Sequence, residues 1–208
     1  MILSSTDNPR LGTKERHAAF VAAARQAFFS NGYGGTSMSS IAAKVGGSKT
    51  TLWTYFPSKQ DLFAAVVDDL VERYGRALDV ELDPDTDVAK SLRLMGRALL
   101  ETIHSQPIID LHRLTIGEAG RFPELARLFY ERAPARGKTR LAHYIREAMA
   151  RGKLRTGDAA DAGRMFVGML QAGSIQHHLL GLAGKPGPKA LERELDAALD
   201  AFMRAWGP

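Results

Sequence analysis

Apolar residues recur at helical spacing along nearly all of this 208-residue chain, and no alternating run of β-branched residues is long enough to argue for a strand. That pattern restricts the chain to an all-α fold. Glycine and proline must then mark where each helix stops, and they divide the chain unevenly, into short segments near the N-terminus and longer ones after it.

A first helix is predicted over 13–30, with Phe20, Ala24, Ala27 and Phe28 on one face and Asn31-Gly32 as its stop. Tyr33-Gly34-Gly35 reads as a loop. Thr36 or Ser37 caps a second helix that turns Met38, Ile41, Ala42 and Val45 inward and breaks at Gly46-Gly47. Ser48 caps a third, ending at Tyr55 before Pro57, with Leu52 inward and Phe56 just beyond it. Ser58 caps a fourth, longer helix carrying Leu62, Phe63, Val66, Val67, Leu70 and Tyr74 as one stripe. The polar, proline-containing stretch 82–85 is the expected hinge, followed by helices over 88–105, 108–118, 123–151, 158–182 and 189–206. Ala133-Pro134 should kink or split the third of these.

Two short helices about Gly46-Gly47 make a compact helix-turn-helix, whose second helix can enter a DNA major groove about 12 Å wide. Its outward positions suit that task. Lys49 can meet phosphate or a guanine edge, Thr50, Thr51 and Thr54 offer hydroxyls and methyls, and Trp53 and Tyr55 can pack on sugar and donate to phosphate. Ser48, Thr36, Ser37 and Lys59 stand at helix starts, where free N–H groups favour phosphate. An N-terminal arm bearing Arg10, Lys14 and Arg16 can follow the backbone or minor groove. Charge agrees: of a formal net +5, residues 1–62 hold seven cations against three acids.

Ala24 and Phe28, Gly32-Tyr33 and Thr36, Ile41-Ala42, Ser48-Lys49, Thr51-Leu52-Trp53, Phe56, Ser58-Lys59 and Leu62, in that order and spacing, resemble the head of the TetR-type repressors. The resemblance implies a three-helix helix-turn-helix DNA-binding head, a larger helical ligand-binding and dimerisation body, and a homodimer that reads a palindromic operator. Gly47 stands where that family usually has valine, Thr50 where glycine is frequent and Trp53 where tyrosine is usual, so no base preference carries over. In the body, the run Gly117-Glu118-Ala119-Gly120-Arg121-Phe122-Pro123-Glu124-Leu125-Ala126 looks like the AefR-like subgroup. The expected division is a head over 1–60 and a body over 61–208, with a helix over 61–80 linking the two.

A regulator of this kind needs a ligand that prefers one of two states. Met95, Leu99, Ile103, His104, His112, Phe122, Phe129, Met165, Phe166, Met169 and Gln171 are the candidate lining for an apolar small-molecule inducer, although helical apolar stripes are more often filled core. His177 and His178 are adjacent and point apart, and no metal site or cofactor is expected. The last two helices carry more apolar surface than one stripe needs, which a two-fold interface between copies would use, with Gly168, Gly173 and Gly181 permitting close approach.

The enzyme classes compatible with an all-helical chain lack their signatures. There is no cysteine, no Gly-x-Ser-x-Gly elbow, no phosphate-binding glycine loop and no metal-ligand helix motif. A helical adaptor for protein partners would not need the cationic arm. The first residues carry no apolar export segment and no run reaches the ~20 residues of a membrane span, so a cytoplasmic protein without membrane contact is expected.

Overall fold

The computed structural model describes residues 12–46 and 48–208, all of them helix, turn or coil, with no strand among the described residues. Arg10 and Gly47 lie outside the described residues. The chain forms two compact units, 1–66 and 67–208.

In the first unit α1 (Thr13–Gly35) starts with the Gly12 N–H donated to Glu15 Oε2 at 2.9 Å. Its ladder is interrupted at Gly32, where φ is 75° and ψ 163°, a left-handed φ that a side chain would oppose. The helix proper therefore stops where Asn31-Gly32 predicts. Beyond it, the expected loop is a further short turn with Tyr33 buried, its ring 5.4 Å from that of Phe28 and 5.7 Å from that of Phe63.

Three serines then cap three helices. Ser37 Oγ accepts the Ser40 N–H ahead of α2 (Met38–Lys44), and Ser48 Oγ accepts the Thr51 N–H ahead of α3 (Lys49–Tyr55), both at 3.1 Å. Ser58 Oγ accepts the Asp61 N–H at 3.0 Å and donates to Asp61 Oδ2 at 2.7 Å, opening α4 (Lys59–Tyr74). Gly46, with φ 67°, closes α2. Phe20, Phe28, Ile41, Leu52, Leu62 and Phe63 are fully buried and hold these segments together.

In the second unit a 3-10 turn (Arg76–Leu78) precedes α5 (Val88–Ile103), α6 (Gln106–Glu118), α7 (Pro123–Arg132), α8 (Pro134–Ala150), α9 (Ala159–Gln171), α10 (Ile175–Leu179) and α11 (Pro188–Trp206). The break inside the predicted 123–151 helix falls at Ala133, before a proline that has no N–H to continue the ladder. The predicted 158–182 helix is two helices instead. It stops at Gln171, because the segment after it is recruited by α11: the Ser174 N–H donates to Glu194 Oε1 at 3.1 Å, and a Cβ on Gly173 would stand 2.5 Å from the Glu194 carboxyl carbon.

The core of this unit lies between α5, α8, α9 and α11, with Leu92, Ile145, Phe166, Leu195 and Phe202 fully buried. Of the three glycines expected to permit close approach between copies, Gly168 has open space beside it, Gly173 faces Glu194 and Gly181 is a turn residue with φ 72°. Within this unit tight packing is made at Gly96 on α5, where an added Cβ would lie 2.6 Å from Leu195 Cδ1 of α11.

Candidate nucleic-acid interface and ligand cavity

Helix α3 is only seven residues long, so one inward side chain fixes its orientation. Leu52 is fully buried, with Phe56 just after it. Lys49, Thr50, Trp53 and Thr54 are exposed, on an arc of about 140° at 100° per residue. Trp53 leaves 47% of its surface in solvent, unusual for a large aromatic side chain in a small helical unit. Thr51 is half-buried with its hydroxyl 2.9 Å from Ser48 Oγ, and the Thr54 hydroxyl donates to the Thr50 carbonyl at 2.9 Å. Tyr55 is half-buried; its ring packs 5.8 Å from Phe20 and 6.1 Å from His17. Ser37, Ser48 and Lys14 are exposed.

The side chains of two residues assigned to DNA from sequence are taken up within the fold. Thr36 is 3% exposed, and its hydroxyl donates to the carbonyls of Gly32 at 2.8 Å and Ala27 at 3.1 Å, tying the interrupted end of α1 together. Lys59 donates from Nζ to the Tyr33 carbonyl and stands 4.1 Å from the centre of that ring, so its ammonium straps the start of α4 to the turn after α1. His17, passed over in the sequence, is exposed on α1 with its ring 4.8 Å from Phe56. A solvated histidine in a polar helix turn carries no sequence signal that would single it out.

The second unit carries a partly open cavity of about 310 Å³, at the small end of the roughly 300–1,000 Å³ typical of small-molecule sites. Of the residues expected there, Met95, Leu99, Ile103, His112, Phe129 and Gln171 line it. The other five do not. His104 is buried against His178, Nδ1 to Nδ1 at 3.2 Å with the rings stacked, and Phe122 lies under the Arg121 guanidinium before α7. Met165 is exposed, Phe166 packs in the core 5.1 Å from Phe202, and Met169 packs against that core. Lining that sequence did not suggest comes from Val71 on α4, Ala77 and Leu78 on the 3-10 turn, and Gly137 and Leu141 on α8. Small residues there make the space by what they lack.

His112 donates from Nδ1 to the Ile108 carbonyl at 2.9 Å and sits edge-on to Phe129 at 4.9 Å. Burial pushes its pKa below the ordinary histidine value, against the opposing effect of that carbonyl. Burial likewise lowers His104 and His178. Among the other cavity residues, Arg140 donates to the Val80 carbonyl at 2.9 Å, Lys138 lies 5.0 Å over the Tyr130 ring, and the Thr102 hydroxyl donates to the Tyr74 carbonyl at 2.9 Å.

The apolar excess of the last helices divides in two. Phe166, Leu170, Leu195, Leu199 and Phe202 fill the core, whereas Met165, Leu180 and Leu182 stay 46%, 66% and 71% exposed. Ile116 on α6 is 66% exposed, and Arg113 of the same helix donates to the carbonyls of His178 and Leu179. No helix among the described residues is long and apolar enough to cross a membrane.

A buried-core head with an exposed, hydroxyl-rich third helix, in one chain with a helical unit that carries a small apolar cavity, defines a helix-turn-helix regulator. Residues 20–66 match the family described as bacterial regulatory proteins of the tetR family, and residues 90–208 match the AefR-like transcriptional repressor C-terminal domain. The chain belongs to the TetR family of transcriptional regulators and is not an enzyme. Regulators of this family bind DNA and form dimers.

Among solved structures the chain is similar to the flavonoid-responsive regulator FrrA, 34% identical with a TM-score of 0.82, covering 94% of this chain and 99% of that one. A TetR-family transcriptional regulator from Mesorhizobium loti is 29% identical with a TM-score of 0.79, over 96% of this chain and 100% of that one. The uncharacterised HTH-type transcriptional regulator YvkB of Bacillus subtilis is 26% identical over 172 residues, 82% of this chain and 88% of the relative.

Proposed function

We propose that this chain is a ligand-responsive repressor that binds a palindromic operator as a homodimer and is released when an apolar small molecule enters the cavity. The observation that carries the DNA reading is the exposed arc of α3, where Lys49, Thr50, Trp53 and Thr54 face solvent while Leu52 is buried on the opposite face. Thr51, Tyr55, Ser37, Ser48, Lys14 and the arm residue Arg10 complete the contact set, with Lys59 in it through the backbone N–H at the start of α4, while the hydroxyl and N–H of Thr36 are both bonded within the fold. In this reading residues 1–60 read DNA, 61–208 bind ligand and partner, and the helix beginning near 61 joins them.

The ligand reading rests on the cavity and on its similarity to a regulator described as flavonoid-responsive. Helix α4 belongs to both units: Leu62 and Phe63 are buried in the first, and Val71 lines the cavity in the second. A ligand that binds better to one position of α4 shifts the population of DNA-competent protein by that difference in affinity. The exposed Leu180 and Leu182, with Met165 on α9, support pairing of copies through the last helices, which sets two recognition helices about 34 Å apart, one turn of DNA.

An electrophoretic mobility shift with the DNA upstream of the chain's own coding sequence tests this. A salt-sensitive shift is expected, lost when either half of the palindrome is scrambled, and weakened by Lys49→Ala together with a shallower salt dependence. A shift unaltered by Lys49→Ala and Trp53→Ala, or equal binding to a single half-site, refutes the assignment of α3 or of the dimer. Higher transcription of the downstream gene on adding the protein in vitro refutes repression.

A further inference from the structure

Hydrogen-bond roles in the cavity are unevenly filled. A carbonyl oxygen offers only lone pairs, so the bond from His112 Nδ1 to the Ile108 carbonyl requires the proton on Nδ1. Burial keeps this imidazole neutral near pH 7. Its Nε2 is then a lone-pair acceptor, with no partner among the described residues, on a ring that lines the cavity. Of the donors nearby, the Thr102 hydroxyl donates to the Tyr74 carbonyl, one Arg140 N–H donates to the Val80 carbonyl and Lys138 lies against the Tyr130 ring, while the Gln171 amide also lines the space.

We infer that the cavity selects an aromatic molecule carrying a phenolic hydroxyl, which donates to His112 Nε2 while its ring packs among Leu99, Ile103, Phe129 and Leu141. This rests on the cavity being the ligand site, as proposed above. Three competing ligand classes fit worse for stated reasons. A carboxylate placed against Nε2 meets lone pair with lone pair, whatever Lys138 and Arg140 offer it elsewhere in the lining. A cation meets a lining that includes Lys138 and Arg140 and no acidic residue. A plain hydrocarbon leaves a desolvated acceptor unpaired. An aromatic hydroxyl, with a pKa near 10, stays protonated at neutral pH and is a stronger donor than an aliphatic alcohol. The edge-on contact of His112 with Phe129 holds the acceptor in a fixed plane, which favours a flat partner. The volume, equal to that of about ten waters in the liquid, admits two rings.

The test compares 4-phenylphenol with 4-methoxybiphenyl, which have the same rings with and without the donor, by calorimetry on the full chain. Wild-type protein should bind the phenol about tenfold more tightly, the value of one hydrogen bond to a buried acceptor. His112→Phe should abolish that preference while leaving the ether's affinity within about twofold. In wild-type protein labelled with nitrogen-15 at histidine, the His112 Nε2 resonance should move with the phenol and stay with the ether, a readout that does not depend on the variant folding. Equal affinities for the two compounds, a preference that survives His112→Phe, or an unmoved Nε2 resonance overturns the hydroxyl assignment while leaving the cavity as a ligand site. Binding of neither compound overturns both.

Discussion

Thr36→Val separates a structural threonine from a DNA-contacting one. The substitution keeps the shape and removes the hydroxyl, which now donates to the carbonyls of Gly32 and Ala27 at 2.8 and 3.1 Å. Gly32 is where the α1 ladder is interrupted, so its carbonyl depends on a side chain. Loss of an ordinary hydrogen bond costs about 0.5–1.5 kcal/mol, and a buried carbonyl left without a donor raises this to about 1–3. The site is 3% exposed, so water does not readily replace the lost donor. A destabilisation of about 1–2 kcal/mol follows, or a fall of about 2–8 °C in Tm for a chain of this size. Urea unfolding followed by circular dichroism measures it, and mobility shift well below the melting range measures DNA affinity, which should stay within about twofold of wild type. Unchanged stability with tenfold weaker DNA binding would return this hydroxyl to the DNA and refute the reasoning.

Two further outcomes test the second unit. Gly96→Ala places a methyl 2.6 Å from Leu195 Cδ1 and 3.4 Å from Phe166 Cζ, both on fully buried residues, and should destabilise by about 1–3 kcal/mol in urea unfolding, with no effect refuting the close contact. Mild acid should also destabilise it. Burial depresses His104, His112 and His178, so the unfolded chain takes up protons first: the stability they contribute is complete above about pH 6.5 and is lost as pH falls through their lower folded values. Protonating both members of the stacked pair sets two charges 3.2 Å apart, with Arg113 and Lys185 opposing His178 charge and Asp110 favouring it, while Glu194 favours charge on His104 and Lys185 opposes it. Tm should drop between pH 7.5 and 5.5, and drop less in His178→Gln; an identical drop in both would refute the role of the pair.

The serine caps and the split at Pro134 also explain why the fold was readable in outline. A cap acts over three residues and a proline over one, so both are local in the chain. The second unit is harder to read, because its polar groups meet partners far away in sequence: His104 with His178, Arg97 with Glu192 at 2.6 Å, Ser174 with Glu194. Glu194 in particular bonds the segment after Gln171, and between residues 158 and 182 only Gly173-Ser174 marks the place, while the partner lies twenty residues on.

Sequence by itself determined the all-helical class, the Gly46 turn, the caps at Ser48 and Ser58 and the two faces of α3, since seven residues around one inward Leu52 leave Lys49, Thr50 and Trp53 no place but outside. Tertiary structure alone decided that the side chains of Thr36 and Lys59 are taken up within the fold, that Phe166 fills the core while His112 meets a space, and that Ala77, Leu78 and Gly137 border that space. The reason is physical. Helical periodicity states which face of a segment is covered, because burial follows the 3.6-residue turn, but the neighbour that covers it, and any gap left between them, belongs to two segments at once.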